Sequence, residues 1–410
     1  MNVLVLNCGS SSFKFQVVST SLADIQAASD RRLARGSVER IGMPNALVWL
    51  EVGKQPAVRE TRPIADHREA IQHVLQLLRD PANGVLPPGE HIDVVGHRVV
   101  HGGEFFSASV LITPKVLSRI EECVDLAPLH NPANLRGLRM AEELLPGVPQ
   151  VAVFDTSFHQ SMPPHAFLYG IPYEQYTHNK LRRYGFHGTS HRYVCYRLRS
   201  LLGIPRRSVN VISCHLGNGC SIAAITNGES LDTTMGLTPL EGLMMGTRCG
   251  DLDPGAVFRM IGHDGLSAAD VDTILNRKSG LLGVSGLSSD MRELLGAAEA
   301  GHERAALAIQ MFCYRVTKGI AAYLPVVGPT LHAIVFTGGI GENSPEIRRR
   351  IVEPLGMFGI ELDPQLNGAD KPDVISTPAS TYPVRVIPMD EELVIARDAV
   401  RAVEKAQAAP

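Results

Sequence analysis

The chain opens with an apolar run, a short polar turn and a second run in which apolar and polar residues alternate. The apolar run covers residues 2–7, the turn at 8–12 is rich in Gly and Ser, and residues 13–18 alternate. This pattern predicts a β-hairpin. Backbone N–H groups, three hydroxyl groups and the ammonium group of Lys14 would converge on its tip, a donor set that suits a polyphosphate.

Two later segments repeat this design. Residues 210–225 show a second hairpin pattern around the turn at 215–219, and a third glycine-rich turn at 336–343 follows the apolar residues 334–335. One such turn alone is weak evidence, but three at predicted strand ends indicate a nucleotide held between two related halves. The chain has no P-loop signature and no dinucleotide-binding fingerprint after its first strand, which excludes those two classes.

The remaining apolar spacing alternates between helical and strand periods. Helices are predicted at residues 67–79, 114–124, 131–145, 189–202 and 303–323, and from residues 345 and 391 onwards. Strands are predicted at residues 92–100, 150–155, 331–336 and 384–387. This mixture, with a hairpin at the start of each half, predicts two α/β domains with a cleft between them.

Residues 231–255 are expected to lack regular structure, because they are dense in Gly, Thr, Pro and Met. They nevertheless contain the charged residues Glu241, Arg248, Asp251 and Asp253. Long irregular loops are usually either functional or disordered. The glycines and the Met pair of this segment favour a functional loop.

Composition narrows the class of protein. With 410 residues the chain is too long for one core, and its 20% charged and 44% hydrophobic residues are typical of globular proteins. The net charge of −3 provides no basic field for nucleic acid, and no apolar run approaches the roughly 18–20 residues that span a bilayer. The first strand starts directly at the amino terminus, and the seven cysteines include no C-x-x-C pair. A cytoplasmic enzyme with no nucleic-acid or membrane partner is expected.

The segment at 182–191, Arg-Arg-Tyr-Gly-Phe-His-Gly-Thr-Ser-His, is a candidate anion site. His187 follows a flexible Gly and precedes a predicted helix, whose N-cap is expected at Thr189 or Ser190. A histidine there faces the positive end of the helix, which suits anions. A zinc pair with His191 lacks the glutamate of H-E-x-x-H, and a capping or core histidine is the structural alternative. The anion-facing interpretation is favoured.

Three charged groups lie at predicted strand ends. Arg98 is followed by glycines that let a ligand approach the backbone, although a surface ion pair is the alternative. Asp155 follows a strand at the edge where open α/β sheets bind ligands, or else it caps the next segment. Glu391 lies in an Asp-Glu-Glu cluster that fits either a helix N-terminus or a magnesium ion held by carboxylates and phosphate oxygens.

At these motifs the chain resembles the acetate/propionate/butyrate kinase family, within the actin, sugar kinase and Hsp70 superfold. The similarity covers nearly the full length, and the run YGFHGTSH at 184–191 is highly specific. The motifs are 7–14 (NCGSSSFK), 96–103 (GHRVVHGG), 155–159 (DTSFH), 183–191 (RYGFHGTSH), 215–219 (HLGNG), 244–254 (MMGTRCGDLDP) and 338–344 (GGIGENS). The resemblance implies a duplicated actin-like (ribonuclease H-like) α/β fold with an interdomain active-site cleft. Its domains would be residues 1–155, completed by a C-terminal helix at 391–410, and residues 156–390.

The resemblance also implies a reaction, ATP + acetate ⇌ ADP + acetyl phosphate, in a homodimer with Mg²⁺, for which Mn²⁺ can substitute. By matching motif, Asn7 and Glu391 are the metal-associated residues. The catalytic residues would be Arg98, which also binds substrate, Asp155, His187 and Arg248. The pocket for the acyl methyl group would be Val100, Leu129, Phe186 and Pro239. The nucleotide-binding residues would be Lys14, His215, Leu216, Gly217, Asn218, Gly219, Asp290, Met291, Arg292, Gly339, Ile340, Gly341, Glu342 and Asn343.

Two positions depart from the family pattern. Met389 and Asp390 stand where Thr and Asn are usual, which adds a negative charge beside the metal site. Cys249 stands where Ser commonly follows the arginine. Neither change removes a catalytic group, but the first bears on metal affinity.

The implied chemistry is compatible with these side chains. Phosphoryl transfer depends on positioning and on charge stabilisation of the equatorial oxygens, which two arginines, a histidine and Mg²⁺ supply. Acetate is already ionised at neutral pH, so Asp155 is expected to orient other groups and not to abstract a proton. The alternatives are a propionate or butyrate kinase and an actin- or Hsp70-like nucleotide switch. The switch would leave Arg98, His187 and Arg248 without a shared task.

Overall fold

The computed structural model describes residues 1–9, 11–83, 85–86, 89–128, 130–371 and 373–408. Two residues of the predicted sites, Ser10 of the first turn and Leu129 of the acyl pocket, lie outside this described part. The chain divides into two compact units, the first formed by Met1–Ser157 and Asp390–Pro410 and the second by Phe158–Met389. Each unit contains its own β-sheet.

The sheet of unit 1 is built on the predicted N-terminal hairpin. Its strands are β1 (Asn2–Cys8), β2 (Ser12–Ser19), β3 (Arg31–Glu39), β4 (Ala46–Val52), β5 (Val58–Arg62), β6 (Val94–Val99), β7 (Val110–Leu111) and β8 (Gln150–Phe154), in the order β5-β4-β3-β2-β1-β6-β8-β7. β1 is antiparallel to β2 and parallel to β6, which is in turn parallel to β8. The carboxyl ends of β1, β6 and β8 therefore lie along one edge of the sheet.

Helices cover the faces of this sheet. In the first segment of unit 1, residues 1–157, these helices are α1 (Leu22–Ala27), α2 (His67–Arg79), α3 (Pro114–Glu122) and α4 (Asn131–Leu144). α2 is amphipathic, because Ile71, Val74, Leu75 and Leu78 recur at helical spacing and are all buried in the core. Its predicted bounds are confirmed.

The sheet of unit 2 repeats the hairpin arrangement with five strands. They are β9 (Val211–Leu216), β10 (Cys220–Thr226), β11 (Glu229–Thr233), β12 (Ala333–Thr337) and β13 (Val384–Val386), in the order β11-β10-β9-β12-β13. β9 is antiparallel to β10 and parallel to β12, as β1 is to β2 and β6 in unit 1. The second predicted hairpin is therefore confirmed.

The helices of unit 2 are α5 (Pro164–Phe167), α6 (Glu174–Asn179), α7 (Gly188–Leu202), α8 (Pro254–Gly262), α9 (Ala268–Arg277), α10 (Gly280–Ser285), α11 (Met291–Glu299), α12 (Glu303–Val327), α13 (Gly338–Asn343), α14 (Pro345–Val352) and α15 (Pro364–Asn367). Short 3₁₀ segments occur at Ser157–Ser161, Arg206–Ser208 and Glu353–Phe358. The long α12 packs against β9 and β10 and carries most of the core-facing apolar residues on that side of the sheet.

The last helix, α16 (Glu391–Gln407), returns to unit 1 and packs on β1, β6 and β8. A Cβ at Gly96 of β6 would lie 2.8 Å from the Ile395 side chain, so the close approach of helix and strand requires glycine there. Arg397 of this helix forms a buried ion pair with Asp30, and the two side chains are only 5% and 4% exposed. These contacts make the C-terminal helix part of the first sheet's core.

Three details differ from the sequence predictions. The third predicted glycine turn is the short helix α13. Residues 231–255, expected to be irregular, begin in β11 and end in α8. The helix α12 continues past Tyr323 to Val327. Pro325 lies two residues before the end of α12, so few helical hydrogen bonds follow the one it cannot make. Within the described ranges, no helix combines the length and apolarity needed to cross a bilayer.

Candidate active site

Arg98 and Asp155 meet at the carboxyl ends of the neighbouring strands β6 and β8 in unit 1. The Arg98 Nε donates to Asp155 Oδ1 at 2.9 Å and its Nη2 donates to Asp155 Oδ2 at 2.6 Å. Asp155 is 1% exposed, whereas the Arg98 side chain keeps 21% of its surface exposed. The carboxylate thus holds the guanidinium in a bidentate pair whose outer side is accessible.

The charge of Arg98 is stabilised by several acids. Burial would lower the pKa of Arg98, but the negative charges of Asp155, Glu391 and Glu392 raise it above its ordinary value. Arg98 therefore remains a cation at any pH at which the protein is folded.

Asn7 and Glu391 supply oxygen atoms near this arginine. Asn7 lies in β1, and its Oδ1 is 3.5 Å from Arg98 Nη1. Glu391 begins α16; burial raises its pKa, and the positive charge of Arg98 offsets part of this effect. No group of three or more His, Cys, Asp or Glu suited to a metal exists among the described residues. One carboxylate and one amide oxygen fit Mg²⁺, which completes its shell with water and phosphate oxygens.

Asp390, one of the two departures from the family pattern, has a structural contact. It is the N-cap of α16, and its Oδ1 accepts a hydrogen bond from the Leu393 N–H at 3.0 Å. Burial and the adjacent Glu392 raise its pKa. The helix N-terminus interpretation of the acidic cluster is therefore observed, since Asp390 caps the helix while Glu391 and Glu392 occupy its first turn, and the magnesium interpretation stays a prediction.

The first hairpin turn is fixed by a residue that the sequence had not singled out. His67 Nε2 lies 2.8 Å from the Gly9 carbonyl oxygen, and the Gly9 N–H donates to the Ser12 carbonyl at 2.8 Å. Lys14 follows on β2 and lines a cavity of about 600 Å³ with Ser11 and Ser12. Lys14 belongs to unit 1, while the other predicted nucleotide residues belong to unit 2.

Val100 of the predicted acyl pocket is held by an asparagine. Its N–H donates to Asn134 Oδ1 at 3.0 Å, and the Asn134 amide donates to the Cys8 carbonyl at 2.9 Å. Asn134 lies in α4 and connects the ends of β1 and β6. This role could not be predicted, since a buried Asn in a helix is recognisable only from its partners.

His187 occupies a strained position in unit 2. It is the N-cap of α7 and has left-handed backbone angles, φ 55° and ψ 23°. The predicted N-cap at Thr189 or Ser190 is therefore wrong, because the helix already begins at Gly188. The His187 Nδ1 lies 2.9 Å from Ser221 Oγ. The His187 ring lies against the His215 ring, with the two ring centroids 4.3 Å apart.

The glycine turn between β9 and β10 brings His187 and Arg248 together. A Cβ built on Gly219 would lie 3.2 Å from His187 Nε2 and 3.6 Å from Arg248 Nη1. Both nitrogens thus lie within 3.6 Å of one point, which glycine leaves without a side chain. A histidine and an arginine at a turn of this kind can share the oxygens of a phosphoryl group.

The loop that carries Arg248 is fastened to the same turn. Arg248 Nη1 donates to the Pro239 carbonyl at 3.2 Å, and the Gly246 N–H donates to the Asn218 carbonyl at 3.0 Å. A Cβ at Gly246 would lie only 1.8 Å from Asn218 Oδ1. Gly280, with φ +63°, would clash with the Met245 carbonyl if it had a Cβ. This irregular segment is therefore ordered by its glycines.

A cavity of about 530 Å³ in unit 2 adjoins this turn. Among its lining residues are eight of the predicted nucleotide-binding residues: Gly217, Asn218, Asp290, Met291, Arg292, Gly339, Ile340 and Asn343. Asp290 caps α11 and forms a bidentate pair with Arg292. The structure thus brings together residues that lie more than 120 positions apart in the chain.

Other predicted nucleotide residues have internal contacts. The Leu216 side chain is fully buried, and Gly341 is buried in α13. The Glu342 carboxylate accepts hydrogen bonds from the Gly338 N–H at 2.9 Å and the Met389 N–H at 3.0 Å. His215 Nδ1 lies 2.7 Å from Ser190 Oγ. Leu216 and Glu342 thus shape the backbone around the cavity.

The unit 2 residues of the predicted acyl pocket are fixed through backbone contacts. Phe186 is 1% exposed, and its carbonyl oxygen lies 3.0 Å from His159 Nε2. Pro239 precedes the Arg248 loop and accepts from its guanidinium. Cys249, the second departure from the family pattern, directs its thiol to the Gly250 carbonyl at 3.0 Å.

Comparison with known proteins agrees with these features. The model of the acetokinase family matches residues 2–397. An acetate kinase of Solibacter usitatus is 51% identical over 409 residues, which is 98% of both chains. The crystal structure of Porphyromonas gingivalis acetate kinase has a TM-score of 0.90 and 46% identity, and that of a Francisella tularensis propionate kinase has a TM-score of 0.90 and 40% identity. Each covers 98% of this chain and 99% of the other.

These similarities confirm the predicted fold class, an α/β fold with two sheets of the actin and sugar kinase type. They extend over the whole chain, including every motif on which the resemblance was based. Because the family model matches residues 2–397 and a relative is 51% identical over 98% of the chain, the chain belongs to the acetokinase family.

Proposed function

We propose that the protein transfers the γ-phosphoryl group of ATP to acetate, reversibly, giving ADP and acetyl phosphate. The observation that carries this proposal is the convergence of His187 Nε2 and Arg248 Nη1 on the open face of Gly219. Preorganised donors aimed at one point stabilise the charge that develops on a transferring phosphoryl group. The cavity lined by Gly217, Asn218 and Gly339 would hold the nucleotide.

Arg98 would bind the carboxylate of the substrate through its accessible side. Its charge offsets the repulsion between that carboxylate and the γ-phosphate. Asp155 would position Arg98, since both of its oxygens already accept hydrogen bonds from the guanidinium. No general base is needed, because acetate is an anion at neutral pH.

Mg²⁺, or Mn²⁺ in its place, would be held near Asn7 and Glu391 together with the phosphate oxygens. The metal would neutralise the charge of the phosphates when bound. Burial raises the pKa of Glu391, and a bound cation would favour its ionised form as Arg98 already does.

The acyl group is proposed to be acetyl, with propionate and butyrate as the alternatives. The fold itself does not separate acetate from propionate, because solved kinases named for each have the same TM-score to this chain. The curated relatives with about half of their residues identical bear the name acetate kinase, which supports acetate. An actin- or Hsp70-like switch is disfavoured because it gives Arg98, His187 and Arg248 no common task.

A hydroxylamine trap tests the proposal. Acyl phosphates react with hydroxylamine to give hydroxamates, which form coloured complexes when Fe³⁺ is added. The protein is therefore incubated with ATP, Mg²⁺, hydroxylamine and acetate, propionate or butyrate in turn. We expect the highest kcat/KM with acetate and strongly reduced turnover in Arg248→Ala. ATP binding without hydroxamate from any of the three acids would overturn the proposal in favour of a nucleotide switch.

We also propose that the protein is a cytoplasmic homodimer. The helix α8 supports self-association, because none of its residues is buried and Phe258, Leu252 and Ile261 at this surface are 72%, 43% and 39% exposed. The seven cysteines are thiols, as expected of a reducing compartment. Light scattering should give twice the 44.4 kDa chain mass, and Phe258→Glu should give monomers. Met357→Glu, at a residue that is 82% exposed elsewhere, is the matched control.

A further inference from the structure

A chain of buried hydroxyl and imidazole groups lies behind His187 in unit 2. Ser221 Oγ is 2.9 Å from His187 Nδ1 and 2.8 Å from His191 Nε2. His191 Nδ1 is in turn 2.9 Å from Ser213 Oγ. His191, Ser221 and Ser213 are each 0% exposed, so these contacts are shielded from water.

The Ser221 hydroxyl has a single proton and can donate to only one of the two imidazoles, which gives two hydrogen-bond patterns in which it donates to a histidine. In the first pattern Ser221 donates to His187 Nδ1 and accepts from His191 Nε2–H. In the second pattern His187 donates from Nδ1, and Ser221 donates to His191. A neutral His187 carries its proton on Nε2 in the first pattern and presents a bare lone pair there in the second.

The position of His187 Nε2 distinguishes the two patterns. This atom would lie 3.2 Å from a Cβ on Gly219, and Arg248 Nη1 would lie 3.6 Å from the same point. An oxygen of a transferring phosphoryl group is an acceptor, so Nε2 must carry a proton to stabilise it. A lone pair at Nε2 would repel the same oxygen.

We infer that Ser221 and His191 are positioning residues that hold His187 in the tautomer with its proton on Nε2. This inference rests on the proposed function, because a phosphoryl oxygen is what requires the donor. His191 donates to Ser221, Ser221 donates to His187, and Ser213 donates to His191. No proton is transferred along the chain during the reaction.

The environment of His191 agrees with this pattern. Burial, and then the proximity of His159 and His215, hold its pKa well below the ordinary value, so the imidazole is neutral. A neutral imidazole has one donor and one acceptor nitrogen, as the pattern needs.

Two other histidines of unit 2 provide comparisons. His215 Nδ1 is 2.7 Å from Ser190 Oγ, and its Nε2 would be 3.7 Å from a Cβ on Gly217, so a second histidine at the turn also has a serine hydroxyl at its Nδ1. His159 is different, because its Nε2 lies 3.0 Å from the Phe186 carbonyl. A carbonyl can only accept, which fixes the tautomer of His159 whatever Ser230 does at its Nδ1.

The tautomer can be measured directly by ¹⁵N NMR of histidine side chains in the unliganded, full-length protein. Protonated and unprotonated imidazole nitrogens have well-separated shifts, and the His187 signals are those that disappear in His187→Gln. We expect a protonated Nε2 and an unprotonated Nδ1 in the wild type. The reverse assignment overturns the inference, even if the enzyme is fully active.

Kinetics then test the role of the hydroxyl. Ser221→Ala removes the hydroxyl, and Ser221→Cys fills its space with a weak donor. Both variants should mix the tautomers of His187 and lower kcat by roughly 10–100-fold. This loss is smaller than the roughly 10²–10³-fold loss expected when a whole donor is removed. KM for both substrates should change little. Ser230→Ala removes an equivalent buried hydroxyl from His159 and should leave kcat and the His187 tautomer unchanged. Unaltered kcat in both Ser221 variants would overturn the inference.

The outcomes separate this inference from the proposed function. Suppose that the wild type forms no acyl phosphate, that its His187 is protonated on Nε2, and that Ser221→Ala abolishes this tautomer. The proposed function then fails, while the positioning role of Ser221 stands. If acyl phosphate forms and the tautomer in Ser221→Ala is that of the wild type, then the function stands and the positioning role fails.

Discussion

Both carboxylate oxygens of Asp155 accept hydrogen bonds from the same guanidinium, that of Arg98, at 2.9 and 2.6 Å. A carboxylate engaged in this way is poorly placed to abstract a proton. Its position beneath the arginine, almost without exposed surface, is that of a support for a substrate-binding cation.

Asp155→Asn is therefore expected to lower turnover by misplacing Arg98. An amide offers one acceptor and one donor, so it can satisfy only one of the two N–H groups, and the loss should approach the roughly 10²–10³-fold of a missing transition-state donor. Steady-state rates from pH 5 to 8 should fall by a constant factor. A variant that merely removes one acidic ionisation from the pH profile would instead indicate a general base.

Asp30→Asn is the matched control, since Asp30 and Arg397 form another buried pair in unit 1. Removal of one partner of such a pair costs about 3–5 kcal/mol of stability. Both variants should thus be destabilised to a similar degree, while only Asp155→Asn loses turnover. Equal loss of turnover in both would mean that general destabilisation explains the effect.

Val100→Ala is expected to relax the choice of acyl group. One methylene in a tight apolar pocket changes kcat/KM by roughly 10–200-fold, and loss of two methyl groups from Val100 would make room for it. The measurement is the ratio of kcat/KM for acetate and propionate in both proteins. If the preference for acetate survives, then Phe186, Pro239 or Leu129 limits the acyl length.

Gly246→Ala should disrupt the nucleotide cavity. The new methyl group would lie 1.8 Å from Asn218 Oδ1, so the Asn218 side chain must move. Displacement of a positioning group by about 1 Å can cost roughly 10²-fold in rate, and we expect a loss of that order in kcat/KM for ATP. Gly170→Ala, where no atom lies within 4 Å of the new methyl group, should behave as the wild type.

Acidification should destabilise both units through their buried histidines. Burial lowers the pKa of His97 and of His159 to about 4, whereas the unfolded chain titrates near the ordinary value of about 6.5. Between these values the unfolded state binds more protons, so stability is complete above about pH 6.5 and falls as pH decreases towards 4. Each histidine should remove roughly 2 kcal/mol between pH 7 and pH 5.

Hydrogen exchange of the amides in β6 and β8 would measure this loss in unit 1. In the wild type, Gln150 Oε1 lies 2.6 Å from His97 Nε2. His97→Gln keeps a donor for this oxygen but cannot titrate, so it should flatten the pH dependence of stability. His263→Gln, at an exposed side chain of unit 2, is the control. An unchanged slope in His97→Gln would show that His97 is not the titrating group.

Much of the fold follows from local patterns, but some elements lack them. The helix at His67–Arg79 and both hairpins were predictable because their apolar residues recur at one clear period. β3 and β5 were not predicted, since charged residues such as Arg35 in the inner strand β3 and Glu60 in the edge strand β5 interrupt their apolar pattern. The helices α8 and α9 were missed as well, because only Val271 among their residues is buried and so they carry little apolar periodicity.

The residues of the candidate site that lie in a local sequence motif were predictable. Those that join the site only through contacts with residues distant in the sequence were not. His187, Gly219 and Arg248 were found from their motifs. Ser221, His191 and Asn134 act through partners that lie 30 to 126 positions away in the sequence. A serine in a strand has the same local pattern whether or not a histidine from another element faces it.

The backbone of His187 places two demands on one residue. A left-handed conformation costs most non-glycine residues roughly 1–2 kcal/mol, and glycine is the residue that avoids this cost fully. Replacement by glycine would therefore relieve the backbone and abolish the imidazole at the same time. Efforts to make this protein more thermostable should leave position 187 alone, since here resistance to heat and catalytic rate select for different amino acids.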